Sequence, residues 1–155
     1  MIGIVLIAHA PLASALAASA VHVYTCAPDV AETQLQVFDV PPDAEVAAAV
    51  AQARALVAAA DAGSGVLVLT DAVGATPGNV AAQLAESGRV AVVAGVNLPM
   101  LLRALCYREG RLAETVDKAL AGGTQGVVHL STTPPQNQLN RSGTGLDPAR
   151  LHDQQ

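Results

Sequence analysis

The sequence contains few basic and few aromatic residues, and these shortages exclude several classes of protein. Lys and Arg together number 8 against 13 Asp and Glu, which gives a formal net charge of −5 at pH 7. A chain with so little positive charge is not expected to bind nucleic acid non-specifically or to adhere to membranes through basic side chains. With no Trp, 2 Tyr and 1 Phe, it also has too few aromatic rings to stack on single-stranded nucleic acid or on sugars.

Cysteines and long apolar runs are equally scarce. The 2 cysteines, Cys26 and Cys106, are far apart and form no CxxC motif, so we expect reduced thiols in a cytoplasmic protein. No Lys or Arg precedes Arg54, whereas a secretory signal peptide needs a positively charged start. No run reaches the roughly 18 uninterrupted apolar residues of a membrane-spanning helix, and we expect none.

Apolar residues are abundant, at 52% of the chain, and they fall into two alternating patterns. Short runs rich in β-branched residues predict buried strands at Gly3–Ala8, Leu35–Val40, Gly65–Thr70 and Val90–Val96. The Ala- and Leu-rich stretches that follow predict helices at Leu12 to about Tyr24, Ala44–Ala60, Pro77–Ser87, and Leu98–Ala121 with a break near Gly110. A strand followed by a helix, four times over, predicts an α/β fold: a doubly wound parallel sheet with helices on both faces.

The ends of this pattern differ from its middle. The Leu35–Val40 run alternates and contains Asp39, which indicates an edge strand. A last apolar run, Gly126–Ser131, predicts a fifth strand. From Thr132 the sequence is polar and has too little apolar surface to pack alone, so we expect a domain over residues 1–131 and a flexible tail over residues 132–155.

The predicted topology indicates where a site should lie. In open α/β sheets, ligands bind beyond the carboxyl ends of the strands, at the point where the winding reverses. In the strand order 2-1-3-4 of flavodoxin-like sheets, that point lies between strands one and three. His9 comes directly after strand one and Asp71 directly after strand three. The topology therefore brings one histidine and one carboxylate together.

This pair of residue types suits nucleophilic chemistry. A carboxylate that accepts from one ring nitrogen of His9 fixes the tautomer and leaves the other nitrogen as the nucleophile. Gly74, Ala75 and Thr76 then open a helix, where backbone N–H groups, the helix dipole and the Thr76 hydroxyl suit a phosphoryl group. With Asp71 orienting His9, the sequence predicts reversible phosphoryl transfer through a phosphohistidine, with no metal and no cofactor.

Competing sites are weaker or absent. His22, His129 and His152 lie at a helix end, in the last predicted strand and in the tail, and we expect structural roles for them. The sequence contains no GxGxxG, no GxxxxGK[ST] and no GxSxG motif. A receiver domain also has an aspartate after strand three, but it needs acidic residues directly after strand one, and this chain has none there.

Three segments resemble the mannose-type IIA proteins of the bacterial sugar phosphotransferase system: IVLIAHAPLASAL, VLVLTDAVGATPGNVA and VVAGVNLPMLLRAL. The resemblance covers about residues 1–131. It implies that His9 is the phosphorylated histidine, that Asp71 orients it, and that Thr76 lies beside the phosphate. It also implies HPr as the phosphoryl donor, a IIB protein as the acceptor, and a four-stranded parallel sheet with a fifth, antiparallel strand that can be exchanged across a homodimer.

Functions from three classes remain compatible with the sequence. The first is a phosphocarrier, either in sugar uptake or in a regulatory phosphorelay. The second is a regulatory binding module without onward transfer, because the family's loop has two adjacent glycines where this chain has Gly74 and Ala75, and because no IIB domain follows. The third is a tetrapyrrole metal chelatase, which also places a histidine after strand one, although no second metal ligand is apparent near His9.

Overall fold

The structure is a computed structural model, and it describes residues 1–23 and 35–130. Over these residues the elements follow in the order β1 (Gly3–His9), α1 (Leu12–Val23), β2 (Leu35–Val40), α2 (Val46–Ala60), β3 (Val66–Thr70), α3 (Thr76–Ala82), β4 (Val90–Ala94), α4 (Leu98–Tyr107) and α5 (Leu112–Gln125). This order confirms the predicted alternation of strands and helices. The predicted break near Gly110 separates α4 from α5.

The described strands form one parallel sheet in the order β2-β1-β3-β4. This confirms the predicted strand order and places β2 at an edge. In register, Ile7 of β1 lies opposite Thr70 of β3, and Ala8 of β1 lies opposite Asp39 of β2. Because β1 and β3 are neighbours that run in the same direction, their carboxyl ends meet at one edge of the sheet.

Helices cover both faces of the sheet. On one face, Ile4 and Leu6 pack in a core with residues of α1, α4 and α5. On the other face, Val5 and Ile7 pack in a second core with residues of α2 and α3. Burial on both faces explains why the β1 and β3 runs are continuously apolar. Among the described helices, none is both long and apolar enough to cross a membrane.

Helix α3 ends earlier than the sequence predicts, at Ala82 instead of Ser87. Beyond it, Glu86 and Val90 form an isolated antiparallel bridge, with backbone hydrogen bonds of 3.1 and 2.8 Å in the two directions. Gly88, in the intervening turn, has a φ of 74°. The helical path ends before this bridge, because the backbone N–H groups of residues 83–85 donate to the carbonyl oxygens three residues back and form tight turns.

The predicted fifth strand is not formed by the described residues. From Gly126 to Leu130 the chain continues beyond α5 without joining the sheet. Val127 and Leu130 are 77% and 86% exposed. An antiparallel strand needs a paired neighbour, and an apolar run in the sequence does not show which strand supplies it. Ser131, the last residue of that prediction, and the predicted tail over 132–155 lie outside the described residues.

Candidate functional site

His9 is the last residue of β1, and its side chain is 52% exposed although the strand before it is buried. Its backbone N–H donates to Asp71 Oδ2 at 3.0 Å. The N–H of the next residue, Ala10, donates to the carbonyl oxygen of Val40 at 3.1 Å. The backbone around His9 is therefore held from the β3 side and from the β2 side, while half of its side chain stays exposed.

Asp71 follows the last residue of β3, and the adjacency of β1 and β3 brings it against the imidazole of His9. Its Oδ2 lies 2.7 Å from His9 Nδ1, and its side chain is 12% exposed. Its Oδ1 accepts from the backbone N–H of Ala72 at 2.8 Å. Since both oxygens are engaged, the carboxylate cannot turn away from the ring without losing several hydrogen bonds. The structure thus brings together the two residues that the topology selected.

The electrostatics of the pair determine which ring nitrogen is available. Partial burial raises the pKa of Asp71, but hydrogen bonds from the His9 backbone, the His9 ring and the Ala72 N–H outweigh it and lower that pKa below its ordinary value. An ionised Asp71 only accepts hydrogen bonds, so neutral His9 carries its hydrogen on Nδ1 and donates it to Oδ2. The other ring nitrogen, Nε2, then carries the free lone pair.

The segment Gly74–Thr76 connects Asp71 to α3. Gly74 has a φ of 84° and no atom within 4 Å of the place where a Cβ would stand, so it is required for its backbone conformation and not for a close contact. Ala75 is the N-cap of α3 and supplies no side-chain cap. Among the described residues, the backbone N–H groups of Gly74, Ala75 and Thr76 donate no hydrogen bond. These three N–H groups are the donors that the sequence predicts for a phosphoryl group.

The helix that follows this segment is shorter than predicted, at 7 residues. Fewer aligned peptide units give a smaller macrodipole, so any attraction of an anion to this segment comes more from the N–H groups than from the dipole of α3. Val73, in the same loop, is 88% exposed.

Sequence reasoning missed Asp39 as a component of this edge of the sheet. Its Oδ1 accepts from the backbone N–H of Ser14 in the first turn of α1, at 3.1 Å. The identity of this residue is itself a signal in the sequence, because Asp is unfavourable inside a strand. In the sequence alone, Asp39 indicates only that the strand lies at an edge.

The described residues offer one imidazole and one carboxylate at this site. Over residues 1–23 and 35–130, no group of three or more His, Cys, Asp and Glu side chains is arranged to hold a metal ion.

Comparison with known proteins gives the family. The model of the EIIA-man family, described as the fructose IIA component of the phosphotransferase system (PTS), matches residues 3–121. This chain belongs to the EIIA-man family. The match runs from β1 into α5 and includes His9, Asp71 and the Gly74–Thr76 segment. As a PTS IIA component, the chain is a phosphotransfer protein, and the family implies HPr and IIB partners in general.

Solved structures share the fold of this EIIA-man family member. A mannose/sorbose-specific IIA subunit from Enterococcus faecalis is 22% identical with a TM-score of 0.74, over 85% of this chain and 96% of that one. EIIA from Streptococcus agalactiae is 24% identical with a TM-score of 0.70, over 83% and 97%. A IIA protein associated with the fucose utilization operon of Streptococcus pneumoniae is 22% identical with a TM-score of 0.69, over 89% and 96%. No curated protein matches the chain by sequence.

Proposed function

We propose that this EIIA-man family member is a phosphocarrier that receives a phosphoryl group on His9 from phospho-HPr and passes it to a IIB protein. The contact of 2.7 Å between His9 Nδ1 and Asp71 Oδ2 carries the proposal. That contact engages one ring nitrogen with a carboxylate and leaves Nε2 for attack on phosphorus, on a side chain that is half exposed.

The proposed step is a displacement at phosphorus. The Nε2 lone pair of neutral His9 attacks the phosphorus of the donor's phosphohistidine. A new N–P bond forms as the donor's N–P bond breaks, and that electron pair returns to the donor imidazole. The Nδ1 proton stays shared with Asp71, whose carboxylate offsets the positive charge that develops on the His9 ring. In the second step, a nucleophile of the IIB protein attacks the same phosphorus and His9 leaves.

The Gly74–Thr76 segment is the proposed cradle for the phosphoryl oxygens. Its three backbone N–H groups lack protein acceptors among the described residues, and the side chain of Thr76 is half-buried without a hydrogen bond of its own. Backbone N–H groups of successive loop residues are common ligands of phosphate. Gly74 provides the left-handed backbone that such a loop needs, and the Thr76 hydroxyl adds a further donor.

Intact-mass spectrometry at neutral to mildly alkaline pH tests the proposal. The purified chain is incubated with phosphoenolpyruvate, enzyme I and HPr. We expect a gain of one phosphoryl group that is acid-labile and that is absent from His9→Ala. His22→Ala and His129→Ala are matched controls, because both side chains are exposed histidines outside the site, and both variants should gain the group.

Two results would reject the phosphocarrier. One is an unmodified chain beside labelled HPr, and the other is full labelling of His9→Ala. Phosphorylation of His9 with no transfer to any IIB protein would instead support the regulatory binding module. Transfer to a IIB protein would support sugar uptake or a relay, and the identity of the IIB protein would point to the sugar.

A homodimer with exchanged strands is a further part of the proposal. In the segment over 126–130 the apolar side chains of Val127, Val128 and Leu130 are exposed, and β4 is at an edge of the described sheet, where it pairs with β3 and, at Val90 alone, with Glu86. The segment of one copy is suited to pair with β4 of a second copy. Size-exclusion chromatography with light scattering tests this, since a monomer at micromolar concentration would contradict it. We also propose a cytoplasmic location, which the expected HPr and IIB partners require.

A further inference from the structure

Asp39 holds the start of α1 against β2 through a contact that the proposed transfer does not use. Asp39 is half-buried in β2, opposite Ala8 in register. Its Oδ1 accepts from the backbone N–H of Ser14 at 3.1 Å. That N–H is one of the four at the start of a helix that have no partner within the helix. The contact explains why an acidic residue occupies a strand of apolar neighbours.

The contact lies close to His9 along the chain. Only Ala10 and Pro11 separate His9 from the first residue of α1. The Ala10 N–H donates to the carbonyl oxygen of Val40, and the Ser14 hydroxyl donates to that of Pro11 at 3.0 Å. The last two residues of β2 therefore hold this turn at two points. Val40 accepts from Ala10 on one side of Pro11, and Asp39 accepts from Ser14 on the other side.

We propose that Asp39 is a positioning residue of the phosphoryl-transfer site. It fixes the turn from His9 to Ser14, so that the His9 ring is held for attack. This inference rests on the proposed phosphocarrier function. Asp39 acts through the backbone and does not touch the reacting atoms.

Three variants of the full chain test the proposal. Asp39→Ala removes the acceptor, and Asp39→Asn keeps an amide oxygen that can accept from Ser14. Asp43→Ala removes an exposed carboxylate in the following loop and serves as the control for charge. We expect the initial rate of His9 phosphorylation to fall about tenfold in Asp39→Ala. It should stay within about threefold of wild type in the other two variants, which keep the hydrogen bond.

Amide hydrogen exchange and NMR of the His9 ring supply readouts that do not require transfer. In Asp39→Ala we expect the Ser14 amide to exchange about tenfold faster and the His9 ring resonances to shift, with both restored in Asp39→Asn. Unchanged Ser14 protection, unshifted His9 resonances, or Asp39→Asn as slow in transfer as Asp39→Ala would each overturn the proposal. If wild-type protein is not phosphorylated beside labelled HPr, the phosphocarrier fails, and these NMR readouts alone decide whether Asp39 positions His9.

Discussion

His9 Nδ1 and Asp71 Oδ2 lie 2.7 Å apart although 62 residues separate them in the chain. The contact exists because β1 and β3 are adjacent and parallel, so that their last residues meet at one edge of the sheet. Asp71 also accepts from the backbone N–H of His9. A single carboxylate therefore fixes both the backbone and the ring of the proposed nucleophile.

Asp71→Asn should slow phosphorylation of His9 about 10- to 100-fold. The substitution replaces a charged acceptor with a neutral amide oxygen, so the ring on which positive charge develops loses the stabilisation of about 1.5–3 kcal/mol that a hydrogen bond to a charged group gives. Quenched-flow phosphorylation with saturating phospho-HPr measures the rate. Asp43→Ala is the control, because it removes an exposed carboxylate without a hydrogen bond in the described structure. An Asp71→Asn rate close to wild type would contradict a role for the carboxylate in transfer.

The stability of the fold should depend on pH through Asp71. Its pKa is lowered on folding because hydrogen bonds to the ionised form outweigh the effect of burial. The resulting stabilisation is fully present above the ordinary pKa of 3.8 and is lost as the pH falls through the lower folded value. Asp71→Asn should therefore have a lower free energy of unfolding than wild type at pH 7. Urea unfolding between pH 7 and pH 3 would show the difference narrowing as pH falls, and a constant difference would contradict the prediction.

Comparing Gly74→Ala with Gly88→Ala distinguishes the loss of stability caused by backbone strain from an effect on phosphorylation of His9. Both glycines have positive φ, 84° and 74°, and neither has an atom within 4 Å of an added Cβ. Each substitution should lower the free energy of unfolding by about 1–2 kcal/mol, the cost of a left-handed residue with a side chain. Only Gly74→Ala should slow phosphorylation, since Gly88 lies in the turn before β4. Equal transfer rates in the two variants would argue against Gly74 in the phosphoryl cradle.

Thr70→Val should stabilise the protein. Among the described residues, the Thr70 hydroxyl is buried and has no hydrogen-bond partner, and burying it costs about 1–3 kcal/mol. Valine has nearly the same shape, so we expect the free energy of unfolding to rise by about 1 kcal/mol. Thr115→Val is the matched control, because the buried Thr115 hydroxyl donates to Tyr107 and Arg111 carbonyls at 3.1 Å, and its loss should destabilise. A destabilised Thr70→Val would show that its hydroxyl has a partner after all.

The helix and strand pattern was predictable from the sequence because burial leaves a local signature. A strand covered on both faces reads as a continuous apolar run, as in Ile4–Ala8 and Val66–Leu69. The break at Gly110 was equally visible. Apolar periodicity did not show the early end of α3 at Ala82, because it does not report the backbone turns that follow this residue or the Glu86–Val90 bridge.

The sequence by itself determined which residues are buried in strands, which stretches are helical, and, through the strand order, that His9 and Asp71 meet. Only the tertiary structure decided that Nδ1 is the ring nitrogen bound to Asp71, that Asp39 holds the start of α1, and that Gly126–Leu130 joins no strand of the described chain. The physical reason is that periodicity reports burial along the chain. Hydrogen bonds between elements depend instead on register and side-chain direction, which are fixed only once the helices pack against the sheet.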